Sequence, residues 1–215
     1  MTRTLMLAAA AVAALPALLH AQSPGIAMRA GTLGIGVEAG IGVISRFGVR
    51  AGYSVMPIRY ETSYSGHQYT VQPTSPLKNI GIDYYPGIGD LRIGAGMLFI
   101  SGPTELEGRF AGAFEIGGEP FIGDARVRGE FDHGSSAPYV IMGFGHPTGG
   151  GMNLFLDLGL GYLGKPDLSL TASGTATQDP RFQGALERER QQAERDANEY
   201  FQLLPIFSFG FRYGF

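Results

Sequence analysis

The chain has 215 residues, a net charge of -3, 34 glycines, 16% charged residues and no cysteine. That balance excludes a basic nucleic-acid surface, and the missing thiols exclude disulfides, a lipoprotein anchor and thiolate metal sites. Past the first 21 residues no apolar run reaches the ~18 residues of a membrane helix, so a mature chain that spans a membrane must close a sheet on itself.

Arg3 precedes an apolar run from Leu5 to Leu19, interrupted by Pro16 and followed by His20, Ala21 and the polar Gln22. This is the layout of a cleavable secretory signal, which assigns residues 1–21 to the signal and 22–215 to one mature domain. Gln22 to Thr32 reads as a short first strand, with Ala27 to Ala30 its best piece. Leu33, Ile35, Val37, Ala39, Ile41 and Val43 then alternate with Gly34, Gly36, Glu38, Gly40 and Gly42, the period of a strand with one oily face. Ser45 and Arg46 turn the chain into Phe47, Val49, Ala51, Tyr53 and Val55, which oppose Gly48, Arg50, Gly52 and Ser54. After a polar stretch from Ser63 to Ser75, Ile80, Ile82 and Tyr84 alternate with Asn79, Gly81 and Asp83. A turn from Pro86 to Asp90 leads into Leu91, Ile93, Ala95, Met97 and Phe99, with Arg92, Gly94 and Gly96 on the other face.

Between Gly102 and Asp124 an extra hairpin is predicted around Gly117 and Gly118, after which Val127 and Phe131 oppose Arg126, Arg128 and Glu130. Val140, Met142 and Phe144 form the next strand. A glycine-rich turn from His146 to Gly151 precedes Leu154, Leu156, Leu158, Leu160 and Tyr162, which oppose Asn153, Asp157, Gly159 and Gly161. Asp179 and Pro180 supply an N-cap and first-turn proline for a helix near residues 181–201, whose thin apolar stripe is Leu186, Ala193, Ala197 and Tyr200. The last residues put Phe207, Phe209, Phe211, Tyr213 and Phe215 on one face and Ser208, Gly210, Arg212 and Gly214 on the other.

Dyad repeats, short turns and a final strand ending flush on Phe215 resemble the small Gram-negative outer-membrane β-barrels, porin-like or of the outer-membrane protein A type. The resemblance implies an all-β, transmembrane antiparallel up-and-down barrel of about eight strands, or ten if the Gly117 hairpin also crosses. It implies export through the periplasm to the cell outer membrane, a monomer, and no cofactor. Its partners would be outer-membrane lipid and the barrel-assembly machinery, which reads Phe211, Tyr213 and Phe215 as an assembly signal. Short turns at Ser45, Gly87 and Thr148 fall on the periplasmic side, and the helix falls at the extracellular mouth, capping the rim or plugging the lumen.

Opposite the lipid, the alternation points Glu38, Asp83, Glu130 and Asp157 inward together with Arg50, Arg92, Arg126, Arg128 and Arg212. Charges confined in so narrow a space need partners, which predicts an internal salt-bridge network. The many inward glycines predict spare volume for water, a small solute or part of the protein itself. The expected activity is slow passive passage or binding of small solutes through a narrow, partly occluded lumen. The alternative is a closed structural barrel that acts through its extracellular loops. His67, His133, His146 and Ser135 have neither triad nor metal-ligand spacing, so no catalytic or metal site is expected.

Overall fold

The computed structural model describes residues 24–44, 46–64, 67–145, 150–200 and 202–215. The signal segment 1–21, its cleavage point and the turn residues Ser45, His146 and Thr148 lie outside these. The strands are β1 (Pro24–Gly31), β2 (Gly34–Ile44), β3 (Phe47–Val55), β4 (Tyr60–Tyr64), β5 (His67–Gln72), β6 (Leu77–Tyr84), β7 (Leu91–Ile100), β8 (Thr104–Ile116), β9 (Glu119–Asp132), β10 (Ser136–Phe144), β11 (Gly151–Tyr162) and β12 (Asp167–Ser173). Helix α1 (Phe182–Tyr200) and strand β13 (Leu203–Gly214) complete the chain.

Eight strands close into an antiparallel barrel in the order β1, β13, β11, β10, β7, β6, β3, β2. The oily face of β13 makes the closure: Phe211 stands opposite Met28 of β1 on one edge and Leu154 of β11 on the other. The Phe215 amide donates to the Pro24 carbonyl at 2.9 Å. No barrel strand is left with an unpaired edge, the condition a sheet must meet to cross lipid. The alternating residues predicted to face outward do so along these strands, with Ile82 59% and Leu154 76% exposed. Leu33 is the exception. It lies in the turn between β1 and β2 and is buried over the lumen.

The hairpin predicted at Gly117 and Gly118 is present, both glycines having positive φ, but it does not enter the barrel. Strands β8 and β9 instead belong to a second, five-stranded sheet of order β12, β9, β8, β5, β4, so the barrel has eight strands and not ten. This sheet is assembled from the three long connections, which leave the end of the barrel opposite the chain terminus. Strands β8, β9 and β12 alternate like barrel strands because they also have one apolar face. That face packs on the helix: Phe114, Ile116, Phe121 and Ala125 bury against Phe182, Ala185 and Leu186. The helix begins at Phe182, three residues after Asp179, whose Oδ1 accepts from the Arg181 amide at 2.9 Å in the turn that leads into it.

Candidate functional site

The inward face of every barrel strand contributes to one polar layer. Arg92 of β7 places Nη2 at 2.5 and 2.6 Å from the two carboxylate oxygens of Asp157 on β11, and its Nη1 at 3.4 Å from Asp83 on β6. Arg50 of β3 stands among Asp83 (3.4 Å), Asp157 (3.4 Å) and Glu38 of β2 (3.6 Å). Arg212 of β13 approaches Glu38 to 2.6 Å, and Arg29 of β1 donates to Glu38 at 3.3 Å and to Ser54 at 3.2 Å. The remaining strand, β10, supplies Tyr139, whose hydroxyl accepts from Arg50 Nη2 at 3.3 Å and donates to the Ile80 carbonyl at 3.4 Å. Aromatic faces cover what the carboxylates leave: Arg50 lies 5.5 Å from the Tyr139 ring, and Arg92 and Arg212 lie 5.7 and 5.5 Å from Phe155.

Six predicted residues, Glu38, Arg50, Asp83, Arg92, Asp157 and Arg212, therefore meet in the lumen. Arg126, Arg128 and Glu130 do not. They sit on the exposed face of β9 in the second sheet, where Arg126 and Arg128 approach Glu107 to 3.4 and 3.8 Å. The physical reason is that the opposite face of β9 already packs on α1 through Phe121 and Ala125, so its polar face turns to solvent. Arg29 is absent from the sequence reading. Its signal was the alternation of Ile26, Met28 and Ala30 against Ala27 and Arg29, masked by the brevity of β1.

At the end carrying the long connections the lumen is filled by a second layer, apolar this time. Leu33, Leu77, Leu98, Ala137, Tyr139, Ile141 and Ile206 form one buried cluster. Several inward glycines stand where a side chain would meet its neighbours. A Cβ on Gly94 would lie 2.9 Å from Ile141 Cγ1 and 3.2 Å from Arg50 Nη2; one on Gly210 would lie 2.9 Å from Phe155 Cε1. At Gly94 and Gly143 the neighbours are lumen side chains, while at Gly36, Gly96, Gly159 and Gly210 the first atom met is a backbone carbonyl of the adjacent strand. What remains between the layers is a cavity of about 10 Å³, walled by Arg29, Arg50, Tyr139, Asp157 and Ser208 among others. That is room for about one water molecule.

Helix α1 lies on the second sheet, and the described ion pairs of its arginines do not reach a lumen charge. Arg188 pairs with Glu119 and donates to the Gly117 carbonyl, while Glu189 accepts from the Gly117 amide at 2.9 Å. Arg190 bridges Glu187 at 2.8 Å and Glu194 at 2.7 Å. Hydrogen bonds from Arg190 and then Gln191 hold the Glu187 carboxyl down to about 2. Between sheet and helix lies a recess of about 160 Å³, with Phe110, Val127, Phe131, Leu168, Leu170 and Leu186 in its walls. The unit thus has its own core, its own ion pairs and a recess much larger than the lumen cavity.

No protein-family model matches the chain, and no curated protein does. Among solved structures it is similar to Acinetobacter baumannii CarO2, with a TM-score of 0.65 and 19% identity over 90% of this chain and 98% of that one. It is also similar to CarO from the same organism, with a TM-score of 0.61 and 20% identity over 89% and 97% of the two chains. The fold is that of an outer-membrane β-barrel. In outer-membrane barrels short turns face the periplasm and long connections face outward, and the second sheet and α1 stand at the end that carries the long connections. At such low identity the likeness carries the fold, and the lumen chemistry is read from this chain's own residues.

Proposed function

We propose that the chain is a closed-lumen outer-membrane barrel that acts through the sheet and helix at its extracellular end, not as a conduit for solutes. The observation that carries this reading is the filled lumen, with a residual cavity of about 10 Å³. A solute would have to displace the apolar layer around Leu98 and Ile206 and then part a buried ion-pair layer, where exposing one unpaired charge costs about 3–5 kcal/mol. The long connections favour the same reading, since strands from all three pair into one sheet that packs on α1. The refolded mature protein is expected to be silent in a planar bilayer. A variant with Leu98, Tyr139 and Ile141 all changed to alanine is expected to stay silent while the ion-pair layer is intact, and to conduct once Arg50 and Arg92 are also changed to alanine. Discrete openings in the unaltered protein, with folding verified on the same sample, would overturn the proposal.

Export after removal of residues 1–21, a monomeric state and assembly by the barrel-assembly machinery through Phe211, Tyr213 and Phe215 belong to the same reading. It is supported by the common outward face of these three side chains, 53–65% exposed at the end of β13. Deleting Phe215 is expected to lower several-fold the heat-modifiable, membrane-inserted fraction in cells while leaving detergent refolding nearly intact. Equal insertion of the two proteins would contradict the assembly role.

A further inference from the structure

The eight barrel strands carry eight charged residues. Seven of them, Arg29, Glu38, Arg50, Asp83, Arg92, Asp157 and Arg212, are buried in the lumen. The eighth is Lys78, second residue of β6 and exposed on the outer face. It interrupts an otherwise uncharged apolar belt, and among the described residues it forms no ion pair. Its cross-strand neighbours are Tyr53 of β3 and Phe99 of β7.

Depth decides what such a lysine can do. A lysine facing lipid costs about 2–4 kcal/mol at the midplane of a barrel and about 0–1 near the interface. Lys78 stands at the extracellular end of β6, and Ile80, Ile82 and Tyr84 continue the outward face toward the periplasmic end. The ammonium is therefore at headgroup level, flanked by the aromatic rings that favour that level. Beside it the barrel wall dips. Ala39 and Ala51 stand opposite each other on β2 and β3, and with Ile26, Val37, Tyr53 and Phe99 they line an open hollow of about 560 Å³.

We propose that this hollow is the seat of one anionic lipid of the outer leaflet, its headgroup phosphate on Lys78 Nζ and an acyl chain lying over Ala39 and Ala51. The two halves of the site are complementary to the two halves of such a lipid: a cation with no ion-pair partner among the described residues, and an apolar trough that ends at it. The inference rests on the membrane-spanning barrel and does not depend on whether the lumen is closed.

The chain contains no tryptophan, so Tyr53→Trp places a single reporter in the wall of the hollow. The full mature protein carrying this change is reconstituted in phosphatidylcholine vesicles doped with either brominated phosphatidylglycerol or brominated phosphatidylcholine at equal mole fraction. Quenching is expected to report a preference of about fivefold for the anionic lipid, the effect of one basic residue at a membrane surface. Lys78→Gln should abolish the preference, Lys78→Arg should retain it, and Ala51→Leu, which fills the trough without changing charge, should weaken it. Equal quenching by the two lipids would overturn the proposal, as would a preference that survives Lys78→Gln or is untouched by Ala51→Leu. Inorganic phosphate added to the vesicles should not compete; competition would assign the site to a free anion and overturn the lipid assignment.

Discussion

Changing Glu38 to glutamine is expected to cost about 3–5 kcal/mol of stability, and changing Arg50 to methionine clearly less, although Arg50 touches more of the network. The reason is the charge count. Three acids, Glu38, Asp83 and Asp157, face four arginines, Arg29, Arg50, Arg92 and Arg212. Arg29 and Arg212 have Glu38 as their carboxylate partner, at 3.3 and 2.6 Å. Neutralising Glu38 therefore leaves two buried guanidiniums without a carboxylate and doubles the excess positive charge, in a lumen whose cavity of about 10 Å³ admits almost no relieving water. Removing Arg50 instead leaves three acids facing three arginines. Glu38 keeps Arg29 and Arg212, while Asp83 and Asp157 keep Arg92. Urea unfolding of the refolded proteins, followed by the heat-modifiable band, measures both costs. An Arg50→Met cost equal to or above that of Glu38→Gln would show that contact number, not net charge, governs this layer.

The barrel was legible because its outer face is almost purely apolar, so a two-residue period marks each strand and the short turns between them. The inner face was less so. Phe155, Tyr139, Ile141 and Ile206 point inward from strands whose outward residues are also apolar, and alternation between apolar residues carries no contrast. A lumen read only from its charges and glycines thus looks emptier and more polar than it is. The second sheet was hidden for a related reason: β8 and β9 alternate because one face packs on α1, and a strand's period cannot say whether lipid or a helix covers its oily side. Hence the period alone groups Arg126, Arg128 and Glu130 with the lumen charges, although pairing to β12 and β8 decides where they go. The helix was legible from Asp179 and Pro180 onward, but the partner of its apolar stripe was not.

The inward glycines carry the sharpest distinction between a filled and an open lumen. Gly81→Ala is expected to destabilise the barrel by about 1–3 kcal/mol, as overpacking of a well-filled core does. Its Cβ would lie 3.3 Å from Tyr139 Cζ, closer still to the Tyr139 hydroxyl, and 3.0 Å from the Ala95 carbonyl oxygen. Tyr139 cannot step aside freely, because its hydroxyl donates to the Ile80 carbonyl and accepts from Arg50 while its ring lies under the Arg50 guanidinium. With Tyr139 free to move into a water-filled lumen, only the Ala95 carbonyl at 3.0 Å would remain against the methyl, and the cost would be small. The double variant Gly81→Ala, Tyr139→Leu separates steric conflict from any other effect, since the leucine removes the ring that the new methyl meets. It should cost less than the sum of the single changes, with a coupling of about 0.5–3 kcal/mol. Strict additivity together with a neutral Gly81→Ala would mean that Tyr139 has room to move, and the space reserved by Gly81 would then be available to solutes.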